Sequence, residues 1–218
     1  MSGIWNSLDK FNREASQWDE NPRRRALALA VGKAIIAAVK PAETMRALEF
    51  GCGTGLVTLE IAPLVKRISA IDTSTEMVAV LQKKIRALGV TNIETSSIDL
   101  LSSSGFGDAE QSFDLIYSSM TLHHIDDTAG FLNRVSTLLC PGGTIALADL
   151  DIEDGLFHDD PLEKVHYGFD REALTAQLIA AGLQVTSFET IYTMEKVNRL
   201  GKMAAYPLFL VTATKEKP

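Results

Sequence analysis

Glu49, Gly51, Gly53 and Gly55 occupy every second position at the end of an apolar run, Ala47 to Phe50, with Cys52 between the first two glycines. An acid followed by alternate glycines can hold a ligand against backbone. Glycine has no Cβ and tolerates positive φ, so such a turn is tight and lies close to what it binds. A helical pattern follows, giving strand, turn and helix. In an open α/β sheet that turn lies at the carboxyl end of a strand, where ligands bind. The spacing excludes two phosphate-binding forms. The sixth position of a dinucleotide fingerprint is Leu56 counted from Gly51 and Thr58 counted from Gly53. No Lys-Ser or Lys-Thr pair follows, so the turn is not a P-loop. Cys52, inside the turn, reads as a small spacer and not as a nucleophile.

Two acids at strand ends extend this pattern. Asp72 closes the short run Arg67 to Asp72, where a carboxylate can accept from both hydroxyls of a ribose. Thr73 follows it, at capping-box spacing from Glu76. Asp99, in Ser97-Ile98-Asp99-Leu100, can accept from the exocyclic amine of adenine, with Ile98 and Leu100 as apolar contacts to the ring.

The remaining chemistry resides in histidines. His123, His124, His158 and His166 all fall after the fourth or the fifth predicted strand. Histidine titrates near neutrality and can act as a general base. His123 is the expected base or orienting group, with His166 and His124 as alternates. The spacing of His158, His166 and the nearby carboxylates matches no metal-ligand pattern, so no metal is expected.

These residues need a scaffold. Asn21-Pro22 reads as an N-cap and a first-turn proline, with Leu27, Val31, Ile35 and Ala38 on one helical face before Pro41. Strands are predicted over 46–50, 67–72, 92–98, 113–119 and 144–149, then 183–192 and 206–214. Helices are predicted over 55–65, from Thr73 to Leu88, from Asp127 to near Leu139, and from Asp170 to Gly182. Pro141-Gly142-Gly143 is a turn that starts the fifth strand. Strand and helix alternate to residue 150, which implies an α/β, doubly wound, mostly parallel sheet of seven strands. The last two strands have no helix between them and pair antiparallel.

Taken together, Glu49 to Gly55, Asp72, Asp99, Ser118-Ser119-Met120-Thr121-Leu122-His123-His124 and Pro141-Gly142-Gly143 resemble the motifs of the class I S-adenosylmethionine-dependent methyltransferases. The resemblance runs over about residues 45 to 150. It is closest to the small-molecule branch with the ubiquinone and menaquinone biosynthesis methyltransferases. It implies a Rossmann-like methyltransferase fold and S-adenosyl-L-methionine as cofactor, with S-adenosyl-L-homocysteine as product. It also implies that the turn holds the methionine part, Asp72 the ribose, and Met77 the adenine. Ser118 and Ser119 would line the floor. The Asn/Asp-Pro-Pro-Tyr signature of many enzymes acting on planar amines is absent.

An acceptor site belongs where irregular chain roofs the sheet edge. Two segments qualify: the N-terminal stretch with Trp5, Phe11 and Trp18, and the insert near 151–169 with His158 and Tyr167. Residues 1–40 are expected to form a helical lid on a single domain, 41–218. The net charge of −7 disfavours a nucleic-acid partner. Arg23-Arg24-Arg25 reads as a solvated helix start. The polar start and the short apolar run Ala26 to Val39 predict no leader and no membrane span. The expectation is a cytoplasmic monomer or homodimer acting on a small molecule. A non-catalytic cofactor-binding module and a nucleotide-dependent oxidoreductase are the rival readings.

Overall fold

The computed structural model describes residues 8–100 and 112–217, so Trp5 lies outside the described residues. The strands are β1 Arg46–Phe50, β2 Arg67–Asp72, β3 Ile93–Ser97, β4 Phe113–Ser119, β5 Leu139–Leu150, β6 Leu183–Val197 and β7 Met203–Lys215. The helices are α1 Leu8–Glu14, α2 Pro22–Val39, α3 Thr58–Ile61, α4 Thr75–Leu88, α5 Thr128–Leu138 and α6 Arg171–Ala180. The sheet order is β3-β2-β1-β4-β5-β7-β6, with β7 antiparallel to both of its neighbours. The order reverses beside β1, which pairs in parallel with β2 on one side and β4 on the other. A crevice opens at such a reversal, outside the carboxyl ends of the strands.

Alternate residues of the central strands feed opposite faces, as the two-residue period of a strand requires. Ala47, Leu115 and Tyr117 face a core with Val31 and Ile35 of α2, Ile61 of α3 and Leu81 of α4. Leu48 and Ile116 face the other core, with Phe131 and Val135 of α5 and Leu174 and Leu178 of α6. Both faces of the central strands are therefore covered, and β4 and the second half of β5 read as nearly continuous buried runs, whereas the edge strands β3 and β6 stay partly exposed. Among the described residues no helix is long and apolar enough to cross a membrane.

Local chemistry sets the element ends. Asn21 caps α2 by accepting from Arg23 N at 2.9 Å. Asp170 caps α6 by accepting from Ala173 N at 2.9 Å. Three expectations need correction. Ser74, not Thr73, caps α4, its hydroxyl accepting from Met77 N at 3.1 Å. The predicted helix over 55–65 shrinks to α3 and a 3-10 turn, Ala62–Leu64, in which Pro63 has no N–H to donate. Pro141-Gly142-Gly143 lies inside β5, where the pairing with β4 shifts register after Phe113, rather than in a turn before it. Within the segment expected to be helical, residues 8–20 form α1 followed by a 3-10 turn, Ala15–Glu20.

Candidate functional site

The glycine turn continues β1 over the end of β2. Cys52 N donates to Ile71 O at 3.0 Å, and Gly53 N donates to Asp72 Oδ2 at 2.8 Å. The other oxygen of Asp72 accepts from Ser74 N at 2.8 Å. Burial raises the Asp72 carboxyl above its usual range, against the lowering effect of these backbone donors. Glu49 is fully enclosed, accepts from Tyr117 Oη at 3.0 Å, and is pushed up to about 8, chiefly by desolvation. Burial also pushes the Cys52 thiol up, which removes the thiolate a nucleophile needs.

The three glycines all have positive φ but differ in what they face. A Cβ on Gly51 would strike the side chain of Thr121, and one on Gly55 would strike Leu81. A Cβ on Gly53 would meet no protein atom within 4 Å. Gly51 and Gly55 are therefore fixed by packing, whereas Gly53 presents bare backbone to open space.

That space is a cavity of about 1130 Å³, counted out to its open mouth. Glu49, Gly51, Cys52, Gly53, Asp72, Thr73, Met77, Ile98, Asp99, Leu100 and Ser119 line it, each singled out from the sequence. Three of the expected cofactor contacts do not reach it. Gly55 is turned toward Leu81. The Ser97 hydroxyl donates to Thr73 O at 3.3 Å on the exposed side of β3. The buried Ser118 hydroxyl donates to Phe50 O at 2.9 Å, tying β4 to β1.

The other end of the cavity is walled by Phe11, Trp18, Met120, Thr121, His124 and Ile125. Met120, the first residue past β4, has φ 55, a left-handed conformation rare for a side chain of this size, and it turns the chain beneath the cavity. Phe11 packs edge-on against both Trp18 and His124, with ring centroids 5.7 and 5.3 Å away. The roof segment is pinned to the glycine turn and to α4. Asn12 Oδ1 accepts from Ser74 Oγ at 2.7 Å, Asp19 Oδ1 accepts from Thr54 Oγ1 at 2.6 Å, and Asp19 pairs with Lys84. Arg24 is a wall residue that the sequence reading missed. Its guanidinium lies 3.5 Å from the centre of the Trp18 ring and binds Glu14 at 2.7 Å, so it is not a merely solvated charge. Its spacing of six from Trp18 gave no pattern to recognise.

The histidines divide. His124 reaches the cavity; burial, then the neighbouring His123, His158 and Lys10, lower it well below the usual imidazole range. His123 does not line the cavity: it is 2% exposed, behind His124, with Nδ1 2.7 Å from Asp149 Oδ1. His158 sits beside both, 5.1 Å from His123 and 5.9 Å from His124 between ring centroids, and outside the cavity wall. His166 is placed elsewhere. Its Nε2 lies 2.9 Å from Ile125 O and its backbone N donates to His123 O at 2.8 Å, so it braces the loop from behind. Tyr167 is 50% exposed, packs beside Gly155 and does not face the cavity.

Residues 48–147 match the methyltransferase domain family. The chain is 34% identical over 142 residues to an uncharacterized methyltransferase of Schizosaccharomyces pombe, covering 60% of this chain and 50% of that protein. It is 30% identical over 149 residues to a ubiquinone biosynthesis O-methyltransferase of Xanthomonas axonopodis pv. citri, covering 66% of this chain and 60% of that protein. The chain thus spans about half or somewhat more of the length of these curated relatives. The solved structure of a SAM-dependent methyltransferase from Aquifex aeolicus superposes with a TM-score of 0.69 over 95% of this chain and 98% of that one, at 20% identity. At that identity the likeness establishes the fold.

Proposed function

We propose that this chain, which belongs to the class I S-adenosylmethionine-dependent methyltransferases and takes S-adenosyl-L-methionine as cofactor, transfers the methyl group to a small, largely apolar acceptor. The observation that carries the reading is one continuous cavity with two unlike ends. One end offers bare backbone at Gly53 and carboxylates at Asp72 and Asp99. The other offers aromatic walls and a single imidazole. The cradle fits the cofactor, because Gly53 leaves open the space that a Cβ would fill.

The roles follow from placement. Asp72 already accepts two backbone hydrogen bonds, and its remaining lone pairs would take the ribose hydroxyls. Met77, Ile98 and Leu100 would pack on adenine, with Asp99 at its amine. Bound cofactor supplies an electrophilic methyl on a sulfonium sulfur. Transfer requires the acceptor atom in line with the carbon–sulfur bond, and positioning alone can supply much of the acceleration. Phe11, Trp18 and Ile125 would hold the acceptor and exclude water. His124, neutral at physiological pH, would accept a hydrogen bond from the acceptor and fix its orientation. His123 acts through His124 as a positioning residue. Residues 8–20 serve as the lid, releasing their contacts to Ser74, Thr54 and Lys84 when they open. The ubiquinone-pathway relative supports a small-molecule acceptor, and we keep the cytoplasmic setting expected from the sequence.

The test is a panel of small phenols, amines and thiols incubated with methyl-labelled cofactor, reading label transfer and S-adenosyl-L-homocysteine release together. Transfer to a panel member, absent in a folded Gly53→Val protein, is the expected result. Tight cofactor binding with no transfer across the panel would instead assign the cavity to a non-catalytic module.

A further inference from the structure

His123, His124 and His158 each offer one ring nitrogen, and these three atoms lie within 4.8 Å of one another. Two segments bring them together. His123 and His124 are adjacent in the 3-10 turn Leu122–His124 that follows β4. His158 comes from the insert after β5, where Glu153 Oε2 accepts from Leu156 N at 3.0 Å and from Phe157 N at 3.2 Å, fixing the bend before it. The insert is tied to the turn by the bond from His166 N to His123 O.

The hydrogen bonding around the trio is uneven. Asp149 is fully buried, and its carboxylate faces His123 Nδ1 while also accepting from His123 N at 3.2 Å and Leu150 N at 2.8 Å. A carboxylate only accepts, so Nδ1 of His123 carries the proton and Nε2 keeps its lone pair. His124 and His158 each hold a buried Nδ1 with no hydrogen-bond partner. His124 is more than nine-tenths buried as a whole. A buried polar atom left unpaired is costly, and here two lie side by side around a third imidazole.

We propose that His123, His124 and His158 form a binding site for a divalent transition metal of the zinc class, with Asp149 as the carboxylate that orients His123. Imidazole sets suit zinc, copper, iron and nickel, whereas magnesium and calcium take oxygen sets. A carboxylate on the far nitrogen of a ligating histidine is the usual outer support of such sites. The nearest lysines do not stand as bare charges: Lys10 pairs with Glu163 at 2.9 Å and Lys196 with Asp159 at 3.0 Å. Nitrogens on one zinc at about 2.0–2.1 Å lie about 3.4 Å apart in a tetrahedron, so small ring rotations complete the site. Three protein ligands leave one position open, as in catalytic zinc centres. His124 is the member that lines the cavity, so that position would face the acceptor end. This inference goes beyond the methyl-transfer reading and does not depend on it; a neutral imidazole has one lone pair, so in the metal-bound state His124 would have none left to offer the acceptor.

The experiment is equilibrium dialysis of the chelator-treated chain against zinc, with cobalt as a spectroscopic probe and no cofactor present. The expected result is one zinc per chain and a visible cobalt absorption of low-symmetry nitrogen coordination. His158→Ala should weaken zinc binding by at least about a hundredfold, and Asp149→Asn by roughly ten- to a hundredfold. Glu94→Ala, at an exposed position of β3 away from the trio, should bind as the parent does. Circular dichroism confirms that each variant is folded, and His158 is only partly buried, so its replacement leaves the core intact. Failure of the parent chain to take up stoichiometric zinc, or equal binding by His158→Ala, overturns the proposal.

Discussion

The two ends of the cavity are built differently. The proposed cofactor end is made from backbone and from side chains at or just past strand ends: Gly53, Asp72 and Asp99. The proposed acceptor end is made from side chains of segments far apart in sequence: Phe11 and Trp18 from the roof, and Met120 to Ile125 from the loop after β4. Sheet topology fixes the first, because any chain with these strands brings their carboxyl ends to one edge. Tertiary packing alone fixes the second. One end can therefore stay constant while the other changes, which is how a fold carries one cofactor and many acceptors.

The largest effect expected within this contrast is at Gly53. Gly53→Val forces a branched side chain to positive φ and fills the cradle, so cofactor binding should be lost by calorimetry while the protein remains folded. Gly55→Ala should behave oppositely. Its new Cβ meets Leu81, so unfolding should become easier by about 1–3 kcal/mol, read from denaturant curves, before binding is affected. If both substitutions act only on stability, the cradle reading of Gly53 is wrong.

Asp72→Ala removes a carboxylate that bonds both the turn and the expected ribose. Hydrogen bonds to a charged group contribute about 1.5–3 kcal/mol each, so affinity should fall by at least about tenfold. Unchanged affinity would leave Asp72 as a brace for Gly53 and Ser74 alone. At the other end, Trp18→Ala removes an aromatic wall and the surface on which Arg24 rests. The specificity constant should drop by on the order of tenfold, with S-adenosyl-L-homocysteine affinity shifted far less. A larger loss in cofactor affinity than in turnover would move Trp18 to the cofactor half.

A different kind of effect is a pH dependence at Glu49. Its folded pKa, about 8, lies above the ordinary carboxyl value of 4.5, so the folded state binds the proton more tightly. That contribution is complete below about 4.5 and is lost as pH rises through 8, with a slope of at most about 1.4 kcal/mol per pH unit. Glu49→Gln cannot ionise. Its stability relative to the parent should therefore increase between pH 5.5 and 7.5 in paired denaturant titrations of the ligand-free protein. A constant difference would mean that Glu49 is ionised in the fold.

The same contrast explains what could be read in advance. The alternate glycines and the acids at strand ends carry local spacing, so eleven of the fourteen expected cofactor positions line the cavity. Ser97 and Ser118 sat in the right motifs but point to neighbouring carbonyls, because strand residues alternate faces. The mostly parallel, doubly wound sheet followed from strand–helix alternation, whereas the start of β5 did not, since Pro141-Gly142-Gly143 has the composition of a turn and here lies within a strand. Around the acceptor, Phe11 and Trp18 were legible as unplaced aromatics. Arg24, the bracing role of His166 and the meeting of His158 with His123 depend on contacts across more than thirty residues or on an unpatterned turn. No local spacing encodes such contacts.

A crystal structure with S-adenosyl-L-homocysteine bound tests the two-ended cavity most directly. The account predicts ribose hydroxyls on the Asp72 carboxylate, adenine between Met77 and Leu100 beside Asp99, and the sulfur turned toward Phe11 and His124. A ligand bound in the reverse sense, or with its ribose away from Asp72, would contradict it.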